Sequence, residues 1–186
     1  MPTTLRTPPE VFSRGVEALR ATEARREISI EEIGAPARLA PFAFALGATV
    51  LRDGDEVATG RLILLHDPAG HEAWQGTTRL VTYVTADLEP ELATDPLLPQ
   101  VGWSWLVDAL DTYTGKGYLA IGGTVTQTIS TRFGDLAADG ADADLEIRAS
   151  WSPQGGLEDH MRAWCAMLAS TAGLPPEGVT ALPGRH

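Results

Sequence analysis

The stretch 42–67, FAFALGATVLRDGDEVATGRLILLHD, decides the class of fold. It holds two runs rich in Phe, Val, Leu and Ile, residues 42–52 and 56–67, on either side of Asp53-Gly54-Asp55. An Asp-Gly pair between such runs is a strong hairpin signal, because a tight turn needs positive φ at its central positions. The stretch therefore predicts two antiparallel strands, and a further strand over 72–86 extends them into a meander.

Upstream, from Glu27, the apolar period is two: Ile28 and Ile30 alternate with Ser29 and Glu31 until Gly34-Ala35-Pro36 stops the run. Downstream of Gly115-Lys116-Gly117 the alternation returns in a long strand. Leu119, Ile121, Val125, Ile129 and Phe133 fall on one side, and Thr124, Thr126, Thr128, Ser130 and Arg132 on the other. A loop over 134–142 leads to its partner, in which Leu145, Ile147, Ala149 and Trp151 alternate with Asp144, Glu146, Arg148 and Ser150. This is a second hairpin with one wet face, and matching its apolar faces sets Arg132 near Asp144. Gly122-Gly123 inside the strand marks a bulge or a close packing contact.

Helical periodicity appears in three places. Thr7-Pro8-Pro9-Glu10 has the form of a capping box, followed by Val11, Phe12, Val16 and Leu19 on one face of a helix ending near Arg20. The proline-broken connection 87–100 precedes a helix over 101–114, with Trp103, Leu106, Val107 and Leu110 on its apolar face. Leu157, Met161, Trp164, Cys165 and Leu168 form the stripe of a helix over 157–172, which Gly173-Leu174-Pro175-Pro176 ends. The expectation is one α+β domain over 1–186. Residues 1–7 and 175–186 form tails, and an antiparallel sheet of five or six strands (meander plus hairpin) carries helices packed mainly on one face.

Composition narrows the function classes. The chain of 186 residues is 44% hydrophobic and 21% charged, within the globular range. No run approaches a membrane-spanning length, and the start MPTTLRTPPEVF lacks the apolar core of a signal peptide. A lone cysteine, Cys165, leaves no intramolecular disulfide, in keeping with a cytoplasmic protein. A net charge of −11 argues against direct nucleic-acid binding. Residues 1–26 run against that balance, with five arginines to three glutamates, and are expected to lie on the acidic body.

The densest cluster of metal-ligand side chains is His66, Asp67, His71 and Glu72. Asp67-Pro68-Ala69-Gly70 suits a type I turn, so the reading is a solvated hairpin tip that makes His66 and His71 neighbours. Those two imidazoles are the candidate ligands of a surface metal site at 66–72. A catalytic zinc needs a third, oriented ligand, and no cofactor is expected. Cys165 lies on an apolar stripe without an adjacent base and reads as structural. Gly102-Trp103-Ser104-Trp105-Leu106 lacks the second glycine of a nucleophile elbow, and Gly115-Lys116-Gly117 lacks the rest of a phosphate loop. Among the tryptophans, Trp103 and Trp74 are expected in the core and Trp151 at the rim. Trp105 is turned away from its helix's apolar face and is the aromatic candidate for a partner contact.

With no catalytic constellation, the favoured expectation is a non-catalytic cytosolic protein acting through a protein partner or as a homo-oligomer, with Trp105, Thr124, Thr126, Thr128 and Arg132 as its surface. The alternative is an enzyme or small-ligand binder with a pocket between the sheet and the 101–114 helix. The weaker alternative is the 66–72 metal site.

The segments RLAPFAFALGATV, ATGRLILLHDPAGHEAWQGTTRLVTYV, DPLLPQVGWSWLVDAL, GGTVTQTISTRFG, LEIRASW and WCAMLASTAGLPPEGVTALP carry a family resemblance. From about Pro9 to Pro183 the chain resembles the actinobacterial family known as domain of unknown function 3000. The resemblance implies no activity, cofactor or catalytic residue.

Overall fold

The computed structural model describes residues 7–178. The elements run α1 (Glu10–Ala21), β1 (Ile28–Ile33), β2 (Phe42–Arg52), β3 (Asp55–His71), β4 (Gly76–Asp87), α2 (Pro90–Ala93), α3 (Leu98–Thr114), β5 (Tyr118–Thr131), β6 (Ala141–Pro153) and α4 (Leu157–Thr171). Short 3₁₀ turns lie at Glu72–Trp74 and Gly134–Asp139. Six strands form one sheet in the order β1-β2-β3-β4-β6-β5, and every neighbouring pair is antiparallel. The fold is thus the expected α+β arrangement of a meander plus a hairpin.

Asp53 and Gly54 both take positive φ, 55° and 92°, as the hairpin turn requires. Register then sorts the strands into two faces. Phe44, Leu46, Val50, Leu62, Leu64, Leu80, Val84, Leu145, Ile147 and Trp151 share the face covered by the helices, and all are buried. On that face α4 packs extensively against α3 and also against α1 and β3, so it is buried on more than one side. Two indole N–H groups that this buries are both satisfied: Trp164 donates to the Thr82 hydroxyl at 2.8 Å and Trp151 to His160 Nδ1 at 3.1 Å. α1 docks through Gly15, against Leu157 and Leu64, and Arg20 in its last turn pairs with Glu32 on β1.

Several local expectations are corrected. Thr7 does not cap α1; Pro9 stands at the N-cap without a side-chain bond, and Val11 is exposed. α3 starts at Leu98, three residues early, with Leu97 N–H donating to Asp95 Oδ1 at 2.8 Å. Asp67–Gly70 is not the hairpin tip. β3 continues to His71, with the extra residues bulged between the pairs His66↔Thr78 and His71↔Gly76, and the chain reverses at 72–75, where Gln75 takes φ 54°. Trp151 is fully buried and Trp74 half-buried, the reverse of the expected order, because β6 runs on past Trp151 to Pro153 beneath the helices. Trp103 is half-buried rather than enclosed. Arg132 pairs with Asp142, since the ladder sets Ser130 opposite Asp142 and Thr128 opposite Asp144. The outer parts of both expected tails, 1–6 and 179–186, lie outside the described residues.

Candidate functional site

The two edges of the sheet are built differently. β1 is six residues long, carries exposed Glu31 and Glu32, and has Glu32 bound to Arg20 at 2.9 Å. Charge and brevity are what natural edges use to repel a foreign strand. β5 is 14 residues long, and YLAIGGTVTQTIST contains neither a charge nor a proline. Its N-terminal part bulges between Leu119 and Gly122, with Ala120 at φ 49°, but from Gly122 to Thr131 the ladder with β6 is unbroken. Its outer backbone groups therefore form a regular row, with no strand beyond it among the described residues.

Apolar side chains are exposed along this strand and just beyond it: Ile129 is 51% and Phe133 80% exposed, and Leu119 is exposed as well. The Gln127 amide donates to the carbonyls of Ala93 at 3.3 Å and Asp95 at 3.1 Å, tying α2 and the start of α3 to this edge. On the helix side Trp103 lies over Gly123 so closely that a Cβ there would come within 2.8 Å of the ring and 2.3 Å of the Arg148 carbonyl oxygen. Val107 follows one turn later, also half-buried. On the helix-free side Thr124, Thr126, Thr128 and Ser130 stand exposed in line.

Four of the expected binding residues, Thr124, Thr126, Thr128 and Arg132, are thus brought to this one edge, Arg132 at its end against Asp142. Trp105 is not with them; it is half-buried against the core, well round the helix from Trp103. Trp103, Ile129 and Phe133, expected on apolar faces, are the residues at this edge that sequence reasoning did not assign to a binding surface. The absence of any charge over 118–131 was the available signal.

The rest of the helix-free face is polar and internally bonded. Tyr83 donates to Glu146 at 2.8 Å, Arg148 contacts Glu146 at 2.6 Å, and its guanidinium lies 5.0 Å from the centre of the Tyr83 ring. Nearby Arg79, only 9% exposed, donates to Ser150 at 2.9 Å and Ser152 at 3.1 Å, and Ser152 donates to the Trp74 carbonyl. Burial lowers the pKa of Arg79. This chain of bonds pins the β3–β4 tip onto the sheet.

His66 and His71 do not meet. His66 is buried on the helix side, with Nδ1 3.1 Å from the Thr78 hydroxyl and its ring beside Phe12 and Phe42, and desolvation lowers its pKa. His71 is exposed and stacks on Trp74 at 5.1 Å. Among the described residues no three His, Cys, Asp or Glu side chains are grouped as a metal would need. Where α3 meets the sheet the contact is closed at Gly102, whose added Cβ would sit 3.4 Å from Val125. A cavity of about 450 Å³ lies beside α4, lined by Arg25, Tyr113 of α3, Arg162, Cys165 and Leu174 among others. Its Cys165 is buried and its thiol pushed up to about 12 by desolvation, which removes the nucleophilic thiolate.

These features define a helix-backed antiparallel sheet with one guarded and one unguarded edge. The family described as Protein of unknown function (DUF3000) matches residues 8–180, and the chain belongs to it. No curated protein and no solved structure matches the chain. No helix among the described residues is long and apolar enough to cross a membrane.

Proposed function

We propose that this protein is a non-catalytic, cytoplasmic protein-binding module that engages its partner through the β5 edge. The observation that carries this reading is the long, uncharged β5 with its regular row of outer backbone groups, beside exposed Ile129 and Phe133. An edge of this kind is a template for strand addition: the backbone supplies hydrogen bonds and the flanking side chains supply specificity. The contrast with β1 supports a use for β5, since the same sheet guards its other edge with glutamates. A net charge of −11 disfavours a nucleic-acid partner, and a single, buried cysteine suits the cytoplasm.

The test is position-specific photo-crosslinking in the native cells, with a benzophenone side chain at Thr126 on β5 or at Ser29 on β1. The reading expects a discrete protein adduct from position 126 and none from 29. No adduct from 126, or equal adducts from both edges, contradicts it.

A further inference from the structure

We infer that the protein paired with β5 is a second copy of this chain, joined antiparallel across a two-fold axis near Thr126. This rests on the proposed use of the β5 edge and names its occupant. The edge asymmetry makes the first argument. Pairing β5 with the β1 edge of another copy would be head-to-tail and open-ended, whereas β5 with β5 is isologous and closes at two. The glutamates on β1 disfavour the first and leave the second.

Register makes the next argument. Cross-strand partners must share a face, so only alignments that set Thr or Ser of one copy opposite Thr or Ser of the other keep both sheets' faces continuous. With the axis at Thr126, Thr124 meets Thr128, a pair whose hydroxyls can hydrogen-bond, and Gly122 meets Ser130; all four lie on the helix-free face and none carries a charge. Two chains of net charge −11 thus meet along their neutral strip.

Dimensions agree. A Cβ on Gly102 of α3 would meet Val125 on β5 and both Leu145 and Ile147 on β6, so there the helix lies over the β5–β6 seam. Its axis is then about half a strand spacing, roughly 2.4 Å, inside β5, and the two-fold lies the same distance outside. At that crossing the two α3 helices come to roughly 10 Å apart, within the spacing at which packed helices touch. Gly122–Ser130, the regular span that pairs with itself about Thr126, provides roughly 30 Å of ladder, and sheet plus helix make a wall roughly 20 Å high. Its area, on the order of 600 Å² per copy, lies at the low end of stable interfaces, which average ~800 Å² per partner.

Sedimentation equilibrium of the purified chain at micromolar concentration tests this. The expected result is a species of twice the chain mass. The double substitution Thr126→Lys/Thr128→Lys, and separately Thr126→Glu/Thr128→Glu, should each weaken association by about tenfold or more with unchanged circular dichroism. Mixing the two variants should restore a dimer, an outcome only self-pairing of this strand produces. A monomeric wild type overturns the inference, as do variants that stay fully dimeric. If the wild type is monomeric, a crosslink from position 126 to a different protein leaves the edge-binding reading standing, and no crosslink at all removes both.

Discussion

The indole N–H of Trp151 donates to Nδ1 of His160 at 3.1 Å, with both side chains wholly buried. Because Nδ1 accepts, the imidazole proton sits on Nε2, 3.2 Å from the carbonyl oxygen of Gln154 that it bonds. Charging His160 would put a proton where the indole already donates. Desolvation moves its pKa the same way, downward, and His66 is lowered for the same reason. Unfolding therefore takes up protons at these two sites, and their contribution to stability is complete above the unfolded histidine pKa of ~6.5 and is lost as pH falls below it. Urea midpoints measured from pH 7.5 to pH 5 should fall with pH, and less steeply in His160→Gln. A midpoint that rises or stays level over that range contradicts the buried neutral imidazoles.

Adjacent glycines on β5 predict opposite behaviour. Gly123→Ala would drive a methyl into the Arg148 carbonyl and the Ala149 Cα, backbone atoms that cannot step aside, and into Trp103. A loss of about 2–3 kcal/mol is expected. At Gly122 an added methyl meets nothing within 4 Å, and Gly122→Ala should change stability by less than about 0.5 kcal/mol. Denaturant unfolding of the two variants checks the pair; equal effects would mean that Trp103 does not rest on this strand.

Cys165 should be silent in the native protein. Its thiol is buried and held near 12, so a thiol-reactive chromogenic disulfide should label it only as fast as the chain opens. Labelling in seconds under native conditions, at a rate tracking reagent concentration, would show a thiol exposed at the cavity beside α4.

The architecture was legible because its signals are local. Asp53-Gly54, the period-two runs and Gly173 after the last helix each act through a few neighbouring residues, and each produced the expected element. What the sequence concealed is set at longer range. A shift of two residues keeps every side chain on its own face, so alternation alone could not tell Asp142 from Asp144 as the partner of Arg132. Asp67-Pro68-Ala69-Gly70 has the composition of a hairpin tip, yet pairing resumes at His71↔Gly76 and the reversal falls beyond it at 72–75. That outcome scattered His66 and His71. Trp151 was misread because a strand's last residues look peripheral until its neighbour, Leu80 on β4, and the overlying α4 are known. Of the binding surface, the threonine row was visible as a pattern. That it lies on an edge follows only from β6 joining β4, a pairing between distant segments.

The most direct test of edge pairing is amide hydrogen exchange resolved by residue along Gly122–Thr131. In an unpaired edge strand, alternate amides that do not donate to β6 exchange nearly as fast as an unfolded chain. Paired with another strand, every second amide that faces outward becomes protected as well. The account predicts protection at all amides of this segment in concentrated wild-type protein, and selective loss of the outward set on dilution or in Thr126→Lys/Thr128→Lys. Fast outward amides at every concentration, with the β6-facing set protected throughout, would contradict it.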